Sequence, residues 1–161
     1  MSSQRSYAYA TLSQQAIQGM SGRAVLEAII AGELPQAPIS EVLNFWLTEV
    51  GDGFAVFEGE TGSRLLNPAG GVHGGWALTL IDSACACAAH SLLPAGVGYT
   101  SLETKANFSR PVRSDTGRVR CLAKIAGRGN QIISAEAHLT DAAGELLAHG
   151  TSTIMVLGGR R

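Results

Sequence analysis

The sequence predicts an α+β fold in which an antiparallel sheet wraps one long apolar helix. Three observations carry that prediction. A single apolar run, Gly74 to Leu93, spans several helical turns. Four strand-like segments, joined by short turn signals, follow it. Two more precede it, separated by Gly51-Asp52-Gly53. Consecutive strands with short connections pair antiparallel, and a lone apolar helix buries its surface only if such a sheet folds round it.

The elements follow in order. Residues 1–38 read as an N-terminal helical extension, and residues 39–161 as the main domain. Within the extension, Gln14 to Met20 and Arg23 to Ile30 are helical in pattern, with Gly32 as a stop and Pro35 and Pro38 beyond it. Such a segment covers part of the surface or reaches another subunit. Ile39 to Val50 reads as a strand and Phe54 to Glu60 as its return. Asn67-Pro68-Ala69-Gly70-Gly71 is a loop by composition. The apolar helix, Gly74 to Leu93, stops at Pro94, Gly96 and Gly98. Tyr99 to Phe108 is the next strand, closed by Pro111. Arg118 to Ile125 alternates, with Val119, Cys121, Ala123 and Ile125 on one face, and Gly127 to Asn130 is a turn. Ile133, Ala135, Ala137 and Leu139 line one face of the following strand. Asp141 to Gly144 turns the chain into a last strand, Glu145 to Leu157.

A chain of 161 residues fits one domain with a real core. With 45% hydrophobic and 16% charged residues it is globular rather than disordered. A net charge of −1 gives no electrostatic reason to expect nucleic acid or an anionic membrane as partner. The three cysteines, Cys85, Cys87 and Cys121, are odd in number and form no CxxC pair, which argues against a disulfide framework or a zinc site. Cys85 and Cys87 stand in an alanine-rich run, where cysteine acts as a small hydrophobe. A reducing cytoplasm is the simplest compartment. Residues 1–20 hold no apolar core of a signal peptide. Gly74 to Leu93 contains Asp82, Ser83 and His90, so a buried core helix fits better than a membrane span.

The chemistry concentrates in NPAGGVHGGWALTLIDSACACAA, Asn67 to Ala89. On a helix Asp82 shares its stripe with Leu78, Cys85, Ala86 and Ala89, an apolar face. A carboxylate buried there must be paired, protonated or functional. No Lys or Arg lies between Gly70 and Leu93 to pair with it. The plain alternative is a carboxylate bonded to a loop or set at an edge. Gly74 and Gly75 precede the helix without side chains, so a ligand can approach their backbone. Free N–H groups and the helix dipole favour negative charge there, and such an arrangement can stabilise an oxyanion. A tight turn leading into the helix would need the same glycines. Gly74 and Asp82 are eight residues apart, about 12 Å along a helix. One carbonyl carbon cannot touch both within one chain. If both serve one reaction, they come from two subunits, which implies a dimer with two equivalent shared sites.

The run from Asn67 through Asp82, together with TSLETKANFSRPV from Thr100 to Val112, resembles the hotdog-fold acyl-CoA thioesterases. It is most similar to the branch of phenylacetic-acid-pathway thioesterases and the Arthrobacter-type 4-hydroxybenzoyl-CoA thioesterase. The similarity covers Ile39 to Leu157, and its most specific part is His73-Gly74-Gly75 followed seven positions later by an acid. The resemblance implies a sheet of five or six strands round the helix, protomers pairing sheets edge to edge, and dimers forming tetramers. It implies hydrolysis of acyl-CoA to a free acid and coenzyme A, with no metal or other cofactor. Asp82 matches the family's catalytic carboxylate. Gly74 matches the residue whose N–H polarises the carbonyl of a thioester held against the opposite subunit. Asn67 matches an Asn or Gln that positions the carboxylate or water. Ser101 matches a serine that orients water in one branch, and His73 matches a histidine that supports the loop and positions substrate.

Coenzyme A is a large anion, so basic and backbone donors should ring its site. Gly75, Arg128, Gly129 and Arg110 are candidates, with Arg113 beyond Pro111. Asn130 and Gln131 stand where related enzymes carry hydroxyl residues that touch the nucleotide. Trp76 shapes the pocket or packs in the core; a single Trp fits core packing better. Two rival readings remain. A hotdog hydratase or dehydratase would need a His with an acidic partner at a different spacing and would yield an enoyl product. A non-catalytic acyl-CoA sensor would keep the cavity without needing Asp82 and would release no thiol.

Overall fold

The computed structural model describes residues 7–158. The reading of residues 1–20 as lacking a signal peptide falls in part on residues 1–6, outside the described residues. In chain order the elements are α1 (Gly22–Ala31), α2 (Pro38–Leu43), β1 (Phe45–Gly51), β2 (Phe54–Glu60), α3 (Gly74–His90), β3 (Gly98–Phe108), β4 (Arg118–Arg128), β5 (Ile132–Asp141) and β6 (Leu146–Leu157), with a 3-10 turn at Ser63–Leu65. The strands form one antiparallel sheet in the order β1-β2-β4-β5-β6-β3. Helix α3 packs against all of them. This is the hotdog arrangement, with α1 and α2 as the N-terminal helical extension.

Periodicity explains the wrapping. Ala77, Leu80, Ile81, Ala84, Cys85, Ala88 and Ala89 recur at three- and four-residue spacing and form the buried stripe of α3. They meet the inward residues of the sheet, among them Val119, Cys121 and Ala123 of β4 and Ile133, Ala135, Ala137 and Leu139 of β5, the faces the alternation predicts. Small residues on the stripe let helix and sheet approach closely. Glycines on the sheet side are needed for the same reason. A β-carbon on Gly150 of β6 would collide with the Lys105 carbonyl and lie 3.0 Å from Ile81. One on Gly59 of β2 would lie 2.9 Å from the Trp76 ring. Trp76 itself is buried, and its indole N–H donates to the Leu43 carbonyl at 2.7 Å, so it is a core residue.

Four segments differ from the sequence reading. Ile39 to Val50 is not one strand: α2 occupies its first half. Pro38 starts that helix where its missing N–H costs nothing. Asn44, at φ 53°, ends it in the left-handed region that Asn tolerates. Ile39 and Val42 are 49% and 68% exposed, so their hydrophobicity carried no strand register. Gln14 to Met20 forms turns rather than a helix, with Gly19 in the left-handed region at φ 76°. Helix α3 ends at His90, three residues before Leu93. There the Ser91 hydroxyl donates to the Ala88 carbonyl, and the chain turns toward Pro94. In the same way β4 runs on to Arg128 through a bulge between Ile125 and Gly127, so the expected turn at Gly127 falls two residues later.

The extension is bonded into the domain. Ser21 caps α1 by accepting from the Ala24 N–H, and Gly32 closes it at φ 80°. Leu26 of α1 joins the main core cluster. The buried Gln36 side chain accepts from the Leu47 N–H at 3.1 Å and donates to the Leu47 carbonyl at 3.2 Å, tying the extension to β1. The three cysteines are free thiols. No helix among the described residues is long and apolar enough to cross a membrane.

The start of α3 depends on His73. Its Nδ1 accepts the Gly75 N–H at 2.9 Å, taking the place of the usual Ser or Asp cap. That bond uses the Nδ1 lone pair and therefore selects the Nε2–H tautomer. Replacing His73 by Ala should cost about 1 kcal/mol in denaturant unfolding, while His73→Asn should recover most of it. Gly150→Ala should destabilise by about 2–3 kcal/mol through overpacking. Gly62→Ala, where a β-carbon meets nothing within 4 Å, should stay within about 0.5 kcal/mol of the parent.

Candidate active site

Asp82 lies in the middle of α3, at the edge of the buried stripe, and is half-buried. Leu78 and Ala86, a turn away on either side, are half-buried too, whereas Cys85 and Ala89 are fully inside. The carboxylate opens on a cleft of about 420 Å³ lined by Ile39, Leu78, Thr79, Ser101, Leu102 and Thr104, with Glu103 at its rim. Its one hydrogen bond among the described residues comes from the Thr104 hydroxyl, which donates to Oδ1 at 2.6 Å. No ion pair among the described residues involves Asp82. The second carboxylate oxygen, Oδ2, has no hydrogen bond among the described residues.

A bulge in β3 makes this contact possible. The β3–β6 register slips between Ser101 and Glu103, leaving Leu102 without a partner and 53% exposed. Before the slip Ser101 stands opposite the buried Ile154; after it Thr104 stands opposite the buried Ser152. An unbroken strand starting from Ser101 would have turned Glu103 and Lys105 toward the helix. The bulge sends them outward and brings Thr104 to Asp82. Thr104 was not singled out from the sequence. The signal was present: charged Glu103 and Lys105 must face water, which forces Thr104 inward, while Tyr99 and Ser101 claim the opposite parity. Ile39, read as a strand residue, also proves to be a wall of this cleft, contributed by α2.

The N-terminal end of α3 carries a second group. Gly74 is the first helical residue, and its N–H has no acceptor among the described residues. The ring of Phe108, 59% exposed, lies over it; a β-carbon on Gly74 would sit 3.0 Å from that ring. His73 caps the helix, with Gly75 as the donor, so Gly75 lends its N–H to the fold. Asn67 folds the preceding loop: its Oδ1 accepts from the Ala69 N–H at 2.9 Å and the Gly71 N–H at 3.2 Å. Its Nδ2 makes no such bond there. Val72 donates to the Val112 carbonyl, which fixes the loop beside the end of β3. Arg110 sits nearby in an exposed ion pair with Glu145 at 2.7 Å. The Arg113 N–H donates to the Thr116 hydroxyl in the following turn.

The remaining candidates lie at the opposite end of α3. Arg128 donates to the Leu92 carbonyl at 3.4 Å, just past the helix C-terminus. The Gly129 N–H donates to the Ile132 carbonyl, closing the β4–β5 turn that holds Asn130 and Gln131. Within one chain the candidates therefore fall into three groups spread along a 17-residue helix, about 25 Å long. Asp82 and Ser101 share one cleft. Gly74, Asn67 and His73 do not reach it, and neither do Arg128 through Gln131.

Burial quiets the other nucleophiles near the cleft. Burial first, then the neighbouring Asp82 charge, pushes the Cys85 and Cys87 thiols up to about 12. Burial also raises Cys121 and Tyr99. At neutral pH these thiols are protonated and inert as nucleophiles. Asp82, open to the cleft with a free oxygen, can act as a base or a nucleophile.

Comparisons with known proteins bear on the family and the fold. The family model of the Thioesterase superfamily matches residues 69–148, from the loop before α3 into β6. The chain is similar to the conserved protein PA5202 from Pseudomonas aeruginosa, with 30% identity, a TM-score of 0.69, and 74% of this chain and 94% of that one covered. It is similar to a phenylacetic acid degradation-related protein from Ralstonia eutropha JMP134, with 25% identity, a TM-score of 0.73, and coverage of 81% and 98%. It is also similar to a variant of the phenylacetic acid degradation protein PaaI from Thermus thermophilus, with 27% identity, a TM-score of 0.66, and coverage of 73% and 97%. No curated protein matches. An antiparallel sheet round a helix that carries one unpaired carboxylate, together with these matches, leads to one assignment: the chain belongs to the Thioesterase superfamily.

Proposed function

We propose that the protein hydrolyses acyl-CoA thioesters with Asp82 as the catalytic carboxylate. The observation that carries this reading is a carboxylate in the apolar central helix that faces a cleft with, among the described residues, one hydroxyl partner and no cation. Asp82 either deprotonates the attacking water or attacks the thioester carbon itself; Ser101, which lines the same cleft, would hold that water. Gly74 would polarise the thioester carbonyl from the partner protomer. With about 12 Å between Gly74 and Asp82 along α3, both can serve one reaction only in a homodimer, or in a tetramer built from such dimers, and β3, one of the two edge strands of the sheet, would supply the pairing edge. His73 would then act by holding the Gly74 N–H in place, and Asn67 by offering its free Nδ2 to the partner's site.

Several features support the substrate class. Ile39, Leu78 and Leu102 give the cleft apolar walls, while Asp82 and Glu103 repel a second carboxylate. An uncharged aryl or alkyl acyl group fits that lining, as in the phenylacetic-acid and 4-hydroxybenzoyl-CoA branch. Coenzyme A would lie toward Arg128, Gly129, Asn130 and Gln131, or toward Gly75 and Arg110 at the other end. The reaction needs no cofactor, and the cytoplasm is the proposed compartment.

Thiol release from a panel of short-chain, medium-chain and aryl acyl-CoAs tests the reading. The wild type should release thiol with at least one of them. Asp82→Asn should lose at least about a hundredfold in kcat while keeping KM or ligand Kd within about threefold. Full activity in Asp82→Asn would refute the assignment. Tight acyl-CoA binding with no thiol release by the wild type would point to a sensor, and an enoyl product to a hydratase.

A further inference from the structure

The partner of Asp82 belongs to a longer chain of groups. The Thr104 hydroxyl lies 2.6 Å from Asp82 Oδ1 and 3.0 Å from the Ser152 hydroxyl. The Ser152 hydroxyl lies 2.9 Å from the Glu103 carbonyl. Ser152 is 1% exposed, deep between β6 and α3, so its hydroxyl must be satisfied within the protein. The Glu103 carbonyl belongs to the bulge, where the ladder is interrupted.

Counting protons shows what this chain can do. Three contacts link four groups, and the two hydroxyls bring one proton each. When Asp82 is ionised it can only accept, so Thr104 must donate to it. Ser152 then donates either to Thr104 or to the Glu103 carbonyl, and one of the three contacts lacks a proton. When Asp82 is protonated, the chain can run the other way. Asp82 donates to Thr104, Thr104 to Ser152, and Ser152 to the Glu103 carbonyl, and all three contacts become hydrogen bonds.

We propose that Thr104 and Ser152 form a reversible hydroxyl chain that orients Asp82 and reverses direction when the carboxylate takes up a proton. The carboxylate gains one proton, from solvent in a titration or from the attacking water in turnover. No proton leaves the hydroxyl pair: the Thr104 O–H rotates from Asp82 to Ser152, and the Ser152 O–H turns to, or stays on, the Glu103 carbonyl. Thr104 and Ser152 are positioning residues: they hold Oδ1 and leave Oδ2 to the cleft. The inference rests on the proposed role of Asp82 and adds how its two protonation states are both held in place.

The surroundings leave few other groups to produce such an effect. Among the described residues the titratable groups around Asp82 include Glu103 at the rim of the cleft, Cys85, Cys87 and, two turns on, His90 on its own helix, Tyr99 on β3, and the exposed Glu136 on β5. Cys121 is the one titratable side chain among the core residues that β2, β4, β5 and β6 turn toward α3. Cys85, Cys87, Cys121 and Tyr99 all have pKa values raised by burial, so they stay neutral through the acid range.

Two substitutions should move the titration in opposite directions. Thr104→Val removes the donor to the ionised form and should shift the Asp82 carboxyl titration up by about one pH unit. Ser152→Ala leaves the ionised form its Thr104 donor but leaves Thr104 without an acceptor when Asp82 is protonated. It should shift the titration down by about half a unit. Carbon-13 NMR of the Asp82 carboxyl in the full-length protein reads both shifts without any substrate. The acid limb of kcat/KM should follow them, with kcat of Thr104→Val down about tenfold, KM within twofold, and Thr104→Ser close to the parent. Shifts of the same sign in the two variants, no shift in either, or a Thr104→Ser variant as impaired as Thr104→Val would overturn the proposal. If Ser152→Ala does not fold, the contrast between Thr104→Val and Thr104→Ser decides alone. A wild type that releases no thiol would refute the proposed function, while the NMR titration would still judge the hydroxyl chain.

Discussion

The structure turns on a carboxylate placed where an apolar helix meets a curved sheet. Taking a carboxylate out of water is expensive, and an internal cation would be the usual compensation. Asp82 has none among the described residues; a single hydroxyl and an opening to solvent take its place. The remaining features of the site follow from that. The β3 bulge supplies the hydroxyl, Ser152 supports it from inside the core, and the small residues of α3 and the glycines facing them set how closely helix and strand approach. A charged side chain kept only partly satisfied is poor for stability and useful for chemistry.

The architecture was legible in the sequence because its signals are redundant. The strands after α3 are long, alternate cleanly and are separated by glycine turns, so β4 and β5 present the inward faces their patterns predict. Strand β3 was found as an element but not in its register: its alternation changes parity at Leu102, and a simple period of two cannot describe it. The N-terminal part was legible only in pieces. Helix α1 has both a serine cap and a glycine stop, whereas α2 is six residues long and shows two large apolar side chains to the surface. Local hydrophobicity there reports neither burial nor period.

The site was legible to different degrees for the same physical reason. Asp82, Gly74 and His73 lie on one continuous segment, so helix geometry alone fixes their relative positions. The His73 cap even accounts for why a histidine stands before two glycines: its ring binds the N–H that Gly75 exposes. Thr104, Ser152 and Ile39 come from three other segments and meet Asp82 or its cleft only through the fold. The groups at the two ends of α3 are the converse case. The fold holds them apart within one chain, and chemistry that uses them together needs a second chain.

Sharing of the site between protomers is therefore the claim to test most directly. Gly74→Pro removes the N–H at a first helical position that tolerates proline, and Asp82→Asn removes the carboxylate. Each variant should be inactive alone. Mixed by co-expression, in the proposed dimer they should give hybrids in which one of the two shared sites is intact, and random pairing should restore about a quarter of the wild-type rate. If the mixture stays as inactive as its components while the oligomers demonstrably exchange, both groups act within one chain or not at all, and the account fails.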